Sequence, residues 1–224
     1  AEDVVEYTCA AYNVEAEVFA LPTGIFISMC NQGRQYQTSI KRIKKRGVNL
    51  TRIDTANEIS RQLTAKKLTL DEAMELIDEL YVRKPSKKYV TAGAAAMCVG
   101  CFAILFGGGW FDFLVAALSG GVIQLIASMF RREDMFHFII SVLGGIICAL
   151  FAVSATSFFG IGSVDAIISA SIMALVPGLS MVNSIRDTMR GDLVSGIART
   201  GEVMVIALSI AAGVGVVLGV WSIW

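Results

Sequence analysis

Long apolar runs in the C-terminal part of the chain set the strongest limit on its fold. A helix that spans a bilayer needs about 20 mostly apolar residues, because the hydrocarbon core is about 30 Å thick. Five runs approach this length, at residues 89–106, 111–130, 135–153, 164–182 and 203–224. A large buried helical core is the alternative, but the absence of charge from 113 to 130 and from 203 to 224 argues against it. We therefore predict a membrane all-α domain with five transmembrane helices over residues 89–224.

Residues 1–88 have the composition of a soluble domain and predict an α+β fold. Apolar residues recur at helical intervals over 4–12, and β-forming residues over 18–27 are interrupted by a Pro-Thr-Gly turn. Two amphipathic helical segments follow, and Thr69 with Glu72 forms a capping-box pattern that opens the second. Thr23 in the turn is a secondary candidate for ligand binding, and a structural turn is the simpler interpretation. The net charge of zero gives no reason to expect a nucleic-acid partner.

The distribution of basic residues predicts how the helices cross the membrane. Loops on the cytoplasmic side carry an excess of Lys and Arg. If the N-terminal domain is inside, all seven basic residues after Pro85 fall inside, and the two outer loops, 107–110 and 154–163, contain none. We therefore expect the N-terminal domain in the cytoplasm and the C-terminus outside.

Residues 176–202 combine charges with helix breakers between two apolar runs, which makes them the main candidate for a functional site. Charges beside a bilayer are costly unless they are paired, hydrated or used, and Pro or Gly frees backbone groups that protein or water must satisfy. We interpret this stretch as the substrate or proton pathway of a membrane transport subunit, with the candidates Pro177, Gly178, Asn183, Arg186, Asp187, Gly191, Asp192, Gly196 and Arg199. An arginine would meet a substrate carboxylate, and an aspartate would meet an ammonium group or carry a proton. The alternative is an inner-face salt-bridge cluster that fixes the helix bundle.

A few polar residues inside the apolar runs are secondary candidates. Asp112 and Asp165 stand near the start of the second and fourth runs, where a carboxylate favours the positive end of a helix dipole. Capping explains both, and a substrate or proton role is the alternative. Gln124 lies in the middle of the second run, where it would bond another helix or a ligand. The sequence contains one histidine and no GxxxxGK[ST] pattern, and we predict no cofactor, no metal site and no catalytic residues.

A set of short motifs distributed along the chain carries a family resemblance. The residues are Leu21-Pro22-Thr23-Gly24-Ile25 followed by Ser28, then Asn49-Leu50-Thr51-Arg52, then Val176-Pro177-Gly178, Asn183, Arg186-Asp187, Gly191-Asp192, Ser195-Gly196 and Arg199. The chain resembles the threonine/serine exporter (ThrE-type) family, and within it the shorter N-terminal half that occurs as a separate subunit. The resemblance covers essentially the whole chain, including the order of a cytoplasmic α+β domain followed by five spans. Members with both halves in one chain continue with a second set of spans, whereas this sequence stops after five.

The resemblance implies a subunit of a secondary transporter in the bacterial cytoplasmic membrane that exports a small amino acid, threonine or serine, or a dicarboxylate. It also implies a second membrane subunit that supplies the other half, as in a split bacterial pair associated with succinate export, and assembly into an oligomer. The chain would then not be an enzyme. Two alternatives stay open, namely a membrane-anchored sensor or scaffold without transport activity, and an intramembrane hydrolase with Asp187 and Asp192 as an acid pair.

Overall fold

The N-terminal unit of the chain contains a three-stranded antiparallel sheet that follows one helix and precedes two. The computed structural model describes residues 2–31, 36–43, 47–82, 87–129 and 136–223, and the chain divides into two compact units, residues 1–85 and 86–224. The first unit contains α1 (Glu2–Ala11), β1 (Val14–Leu21), β2 (Gly24–Asn31), β3 (Tyr36–Arg42), α2 (Leu50–Thr64) and α3 (Leu70–Val82). The strands pair in the order β1-β2-β3. This is the predicted order of elements.

Side-chain caps define where the two later helices of this unit begin. The N–H of Arg52 donates to Oδ1 of Asn49 at 3.1 Å, which fixes the start of α2. At the start of α3 the predicted capping box is present, because Thr69 N–H donates to Glu72 Oε2 at 2.8 Å and Glu72 N–H donates to Thr69 Oγ1 at 3.3 Å. The hydrogen bonds from Thr69 lower the pKa of Glu72. Both helices therefore begin where the sequence places a capping residue.

All the regular elements that the structure describes in the second unit are helices. It contains α4 (Lys88–Leu105), α5 (Trp110–Met129), α6 (Phe136–Phe159), α7 (Val164–Ile172), α8 (Gly178–Met189) and α9 (Leu193–Ile223). Within the part of the chain that the structure describes, four of these helices are long and apolar enough to cross a membrane, namely α4, α5, α6 and α9. A mostly helical membrane unit therefore agrees with the prediction, whereas the number of spans differs from it.

The predicted fourth span, residues 164–182, is not one helix, because residues 173–177 separate α7 from α8. Pro177 has no N–H to donate and disfavours a helical conformation in the residue before it. Leu175 N–H donates to Ile172 O at 2.8 Å, an i→i−3 bond that tightens the end of α7. With nine residues in α7 and twelve in α8, neither helix reaches the length of a span. A domain of five continuous spanning helices is not confirmed.

Helix α9 is longer than the predicted fifth span, residues 203–224, because it begins at Leu193 and has 31 residues. At about 1.5 Å per residue it measures about 46 Å, more than the roughly 30 Å of the hydrocarbon core. Gly196 and Gly201 were expected to interrupt this segment, and both lie inside the helix. A glycine weakens a helix by only about 1 kcal/mol, which packing against neighbouring helices offsets.

Glycines allow α6 and α9 to approach closely in the core of the membrane unit. A Cβ atom on Gly145 would lie 2.5 Å from the carbonyl oxygen of Ile210. A Cβ atom on Gly213 would lie 3.0 Å from the backbone nitrogen of Ile146, closer than side chains normally come. Small residues at helix crossings are how membrane helices gain packing contacts without a hydrophobic driving force. The α6–α9 contact therefore depends on these two glycines.

We expect Gly213→Ala to destabilise the membrane unit, because the added methyl group meets backbone atoms of α6. Overpacking of this kind typically costs about 1–3 kcal/mol. Gly215→Ala is the matched control, since nothing lies within 4 Å of a Cβ at that position on the same helix. Thermal unfolding of the purified protein in mild detergent should show a lower midpoint for Gly213→Ala alone. Equal midpoints for the two variants would contradict the close contact.

Candidate functional site

An ion pair between α8 and α9 lies in the stretch that the sequence singles out. Nε of Arg199 on α9 is 3.0 Å from Oδ2 of Asp187 on α8. The Asp187 side chain is 17% exposed and that of Arg199 is 35% exposed, so the carboxylate is the more enclosed partner. The Arg199 Nε atom is buried and has no hydrogen bond of acceptable geometry. The contact is therefore electrostatic rather than a well-aligned hydrogen bond.

The turn between α8 and α9 brings these two residues together although they are twelve positions apart. Gly191 has φ +93°, a left-handed conformation that glycine adopts without steric cost. Its N–H donates to Thr188 O at 3.2 Å, and Asp192 N–H donates to Asp187 O at 2.9 Å. This pair of bonds is a Schellman motif that ends α8. Asp192 then accepts the N–H of Gly196 at 2.9 Å through its backbone carbonyl, which starts α9.

Gly196 sets how closely α8 and α9 pack. A Cβ atom at this position would collide with Oγ1 of Thr188 and would lie 3.2 Å from the carbonyl oxygen of Ser184. Ser184 and Ser195 are both buried at the same crossing, and their side chains are small. The two helices therefore touch backbone to backbone one turn before Arg199. The predicted site glycines thus act here through turn geometry and close packing.

The break between α7 and α8 leaves backbone carbonyl groups without backbone partners. Among the described residues, no backbone N–H donates to the carbonyls of Met173, Ala174 or Leu175. Gly178 N–H instead donates to Val176 O at 2.9 Å. In lipid, each unsatisfied backbone group costs several kcal/mol, so these carbonyls need water or another protein segment.

The other main candidates lie around this ion pair and break. Pro177 precedes α8, and Gly178 is its exposed first residue. Asn183 is half-buried on α8, and Arg186 on the same helix is exposed. Asp192 is half-buried in the turn. Sequence reasoning anticipated a partner for Asp187 but did not identify Arg199 as that partner.

The secondary candidate Asp112 is a buried carboxylate that joins the starts of two helices. It is 3% exposed. Its Oδ2 accepts the N–H of Gly109 at 2.8 Å, before α5, and its Oδ1 accepts the N–H of Ser163 at 2.9 Å, before α7. Gly162, with φ +97°, approaches so closely that a Cβ atom there would lie 2.5 Å from Oδ1. Asp112 therefore holds the α4–α5 and α6–α7 loops together at one end of the unit.

The remaining secondary candidates are separate from this carboxylate. Asp165 is exposed in the first turn of α7. Gln124 is half-buried on α5. Thr23 is exposed in the two-residue turn between β1 and β2, in the N-terminal unit. None of the sequence patterns pointed to the buried hydroxyls of Ser119 and Ser171.

We expect Asp112→Asn to lower the stability of the membrane unit, because an amide has one acceptor oxygen where the carboxylate uses two. Leaving a buried N–H unpaired costs about 1–3 kcal/mol. Asp165→Asn is the matched control, since this carboxylate is exposed in the first turn of α7. Thermal unfolding in detergent should show a clear loss for Asp112→Asn and little change for Asp165→Asn. The opposite ranking would contradict the bridging role.

Four long apolar helices and an interrupted one, with an ion pair in the adjoining hairpin, are the features of a multi-pass helical membrane protein. A family model named ThrE and described as "Putative threonine/serine exporter" matches residues 1–221. The chain belongs to this family. No solved structure matches the chain.

Three named proteins are similar to the chain over most of its length. The chain is 28% identical over 179 residues to a "Probable threonine/serine exporter" of Mycobacterium tuberculosis, covering 79% of this chain and 34% of the relative. It is 30% identical over 178 residues to a "Threonine/serine exporter" of Corynebacterium glutamicum, covering 77% of this chain and 36% of the relative. It thus spans about a third of the length of both. A "Probable succinate transporter subunit YjjP" of Klebsiella aerogenes is 21% identical over 196 residues, covering 83% of this chain and 72% of the relative.

Proposed function

We propose that the chain is a subunit of a secondary exporter for a small amino acid, threonine or serine, or for a dicarboxylate. The observation that carries the proposal is the Asp187–Arg199 ion pair in the hairpin that follows the interrupted helix. On this proposal the protein works in the bacterial cytoplasmic membrane with a second membrane subunit. Residues 1–88 form its cytoplasmic domain, and the C-terminus lies outside, which requires α7 and α8 together to complete one crossing beside the four long helices.

The ion pair supplies the charges that such a substrate needs. Charged residues beside a bilayer are costly unless they are paired, hydrated or used, so a charged pair next to the apolar helices is a functional-site hypothesis. Arg199 offers a guanidinium group to a substrate carboxylate, and Asp187 offers a carboxylate to an ammonium group or a proton. Each would exchange its partner for the substrate, so neither charge would be left unpaired during transport. The alternative is a purely structural pair that fixes α8 against α9.

The break between α7 and α8 is a second feature that supports the exporter proposal. Secondary transporters commonly build their sites from discontinuous helices, because the freed carbonyl groups and helix ends bind ions and polar substrates. The unpaired carbonyls after α7 lie about 14 Å along the helix axis from its start, roughly half of the hydrocarbon thickness. A polar group at this depth would be reached through water or covered by a second chain.

The case for a second subunit rests on exposed apolar surface and on the relatives. Helix α8 exposes Leu179, Val182 and Ile185, and α9 exposes Val194 and Ile197. The relative from Klebsiella aerogenes is named a transporter subunit. The two exporters from Mycobacterium tuberculosis and Corynebacterium glutamicum are about three times the length that the chain matches. We propose that a second membrane protein covers these helices and completes the transporter.

We expect Asp187→Asn and Arg199→Ala to abolish most export while leaving folded protein in the membrane near normal. The assay is efflux of labelled threonine, serine or succinate from proteoliposomes, with and without the membrane protein that co-purifies with the chain. Glu75→Gln is the control, because this carboxylate is exposed on α3 of the N-terminal unit and is not a site candidate. The control should export as the wild type does.

The charge-swapped double variant Asp187→Arg with Arg199→Asp separates function from structure. A structural pair tolerates reversal, so export would return to near the wild-type rate. A pair that acts on substrate or proton does not tolerate it, and export stays low while the folded yield stays near normal. Normal export by the single neutral variants would contradict the proposed role. A folded complex with no flux of any tested solute would favour the sensor or scaffold alternative.

A further inference from the structure

Three small polar side chains meet in the centre of the membrane unit, away from the ion pair. Ser119 lies on α5, Cys148 on α6 and Ser171 on α7, and all three are 0% exposed. The thiol of Cys148 lies beside both hydroxyl groups. Within the described residues, neither hydroxyl oxygen has a hydrogen bond of acceptable geometry. A thiol is a weak donor and a weak acceptor, so it does little to satisfy them.

Other hydroxyl residues of this unit satisfy themselves differently. Thr156 Oγ1 donates to Ala152 O at 2.8 Å within α6, and Ser209 Oγ donates to Val205 O within α9. Such bonds to the preceding turn are the usual solution for Ser and Thr in membrane helices. Ser119 and Ser171 do not form such a bond, although Ser119 and Ser171 are as buried as Ser209 and more buried than Thr156. Buried unsatisfied polar groups in native proteins call for an explanation, such as an absent water or ion.

The position of Ser171 favours a positively charged occupant. It lies in the last turn of α7, which ends at Ile172. The carboxyl end of a helix carries a partial negative charge that stabilises cations. The carbonyls at 173–175, to which no backbone N–H of the described residues donates, follow within one turn and have the same polarity. Hydroxyl and carbonyl oxygens together are the ligands with which interrupted helices hold monovalent cations in transporters.

We propose that the hydroxyl oxygens of Ser119 and Ser171, at the carboxyl end of α7, form a binding site for a small monovalent cationic group. Its source is either Na⁺ as a coupling ion or the ammonium group of an amino-acid substrate. The inference rests on the proposed transport function and adds a second contact point to it, distinct from Asp187 and Arg199. The occupant would be the strong partner that the neighbouring Cys148 thiol does not supply to the two hydroxyls.

The test is thermal unfolding of the full chain with its co-purifying subunit in nanodiscs. The baseline medium contains choline chloride, whose cation is a bulky quaternary ammonium without an N–H group, and NaCl or L-threonine is added at constant ionic strength. Binding raises the unfolding midpoint. We expect a saturable rise with Na⁺ if the occupant is the ion, or with L-threonine if it is the ammonium group. Loss of one oxygen ligand to Na⁺, or of one hydrogen bond from the ammonium group, should raise the half-saturating concentration roughly tenfold or more in Ser119→Ala or Ser171→Ala.

The variants also separate binding from structural support. The double variant should lose the ligand-dependent rise and keep or increase its midpoint in choline chloride, because the hydroxyls it removes have only the weakly bonding Cys148 thiol beside them. Ser209→Ala is the matched control. It removes a buried hydroxyl that is bonded within its own helix, so it should retain the ligand-dependent rise. A lower baseline midpoint for the double variant than for the control would mean that the hydroxyls are structural, and would overturn the site.

Two further outcomes are decisive. A wild-type midpoint that neither Na⁺ nor L-threonine raises, or a rise that the double variant retains, overturns the site. Efflux from proteoliposomes keeps this result apart from the proposed function. Export without any ligand-dependent rise would reject the site and leave the exporter proposal standing. A rise that the double variant loses, in a complex that exports no tested solute, would support the site and reject the exporter proposal.

Discussion

The absence of water from the bilayer core is the constraint on which the arrangement of the membrane unit depends. There, each backbone N–H and carbonyl must be paired within protein, which continuous helices achieve by themselves. Helix α7 ends after nine residues, and among the described residues no backbone N–H donates to the carbonyls at 173–175 that follow it. This break is stable only where water or a second chain satisfies those groups. It is therefore the part of the unit where an aqueous path or a partner surface has a physical reason to exist.

Close packing around small residues positions the charged side chains that follow the break between α7 and α8. Gly196 brings α8 against α9, and the left-handed Gly191 reverses the chain between them, so that Asp187 meets Arg199. At the opposite end of α7, the carboxylate of Asp112 fixes the start of the same helix. The interrupted helix is thus held firmly at its start, while its end lies beside unsatisfied polar groups. A rigid start and an incompletely bonded end suit a segment that must bind and release a solute.

Much of this fold follows from residue patterns. Helical and strand periodicity predicted the order of elements in the N-terminal unit, and Thr69 with Glu72 predicted the start of α3. Apolar length predicted five spans, and four of them coincide with helices that are long enough to cross a membrane. The fourth run, residues 164–182, misled the prediction, because its hydropathy is continuous while Pro177 and the tightened turn before it end the helix. The start of α9 was also missed, since its first ten residues are polar enough to resemble a loop.

The candidate site was predictable only in outline. Charges near a bilayer identified Asp187 and Arg199 as notable, but no local pattern reveals a pair twelve residues apart across a turn. The two-fold use of the Asp112 carboxylate was hidden for the same reason, because Ser163 is 51 residues away. Ser119 and Ser171 gave no signal in sequence, since a hydroxyl in an apolar helix normally bonds to its own preceding turn. In all three examples the contact depends on how the helices pack, which the local sequence does not show.

Water accessibility at the break tests the central claim most directly. The measurement is labelling of Ala174→Cys by a small, membrane-impermeant thiol reagent, in a background whose five native cysteines are replaced. Ala207→Cys, at an exposed position on α9, is the matched control. Our account predicts labelling at 174 that the transported solute slows, and little labelling at 207. An unlabelled position 174 in the assembled, membrane-embedded complex would contradict a transport path at the break.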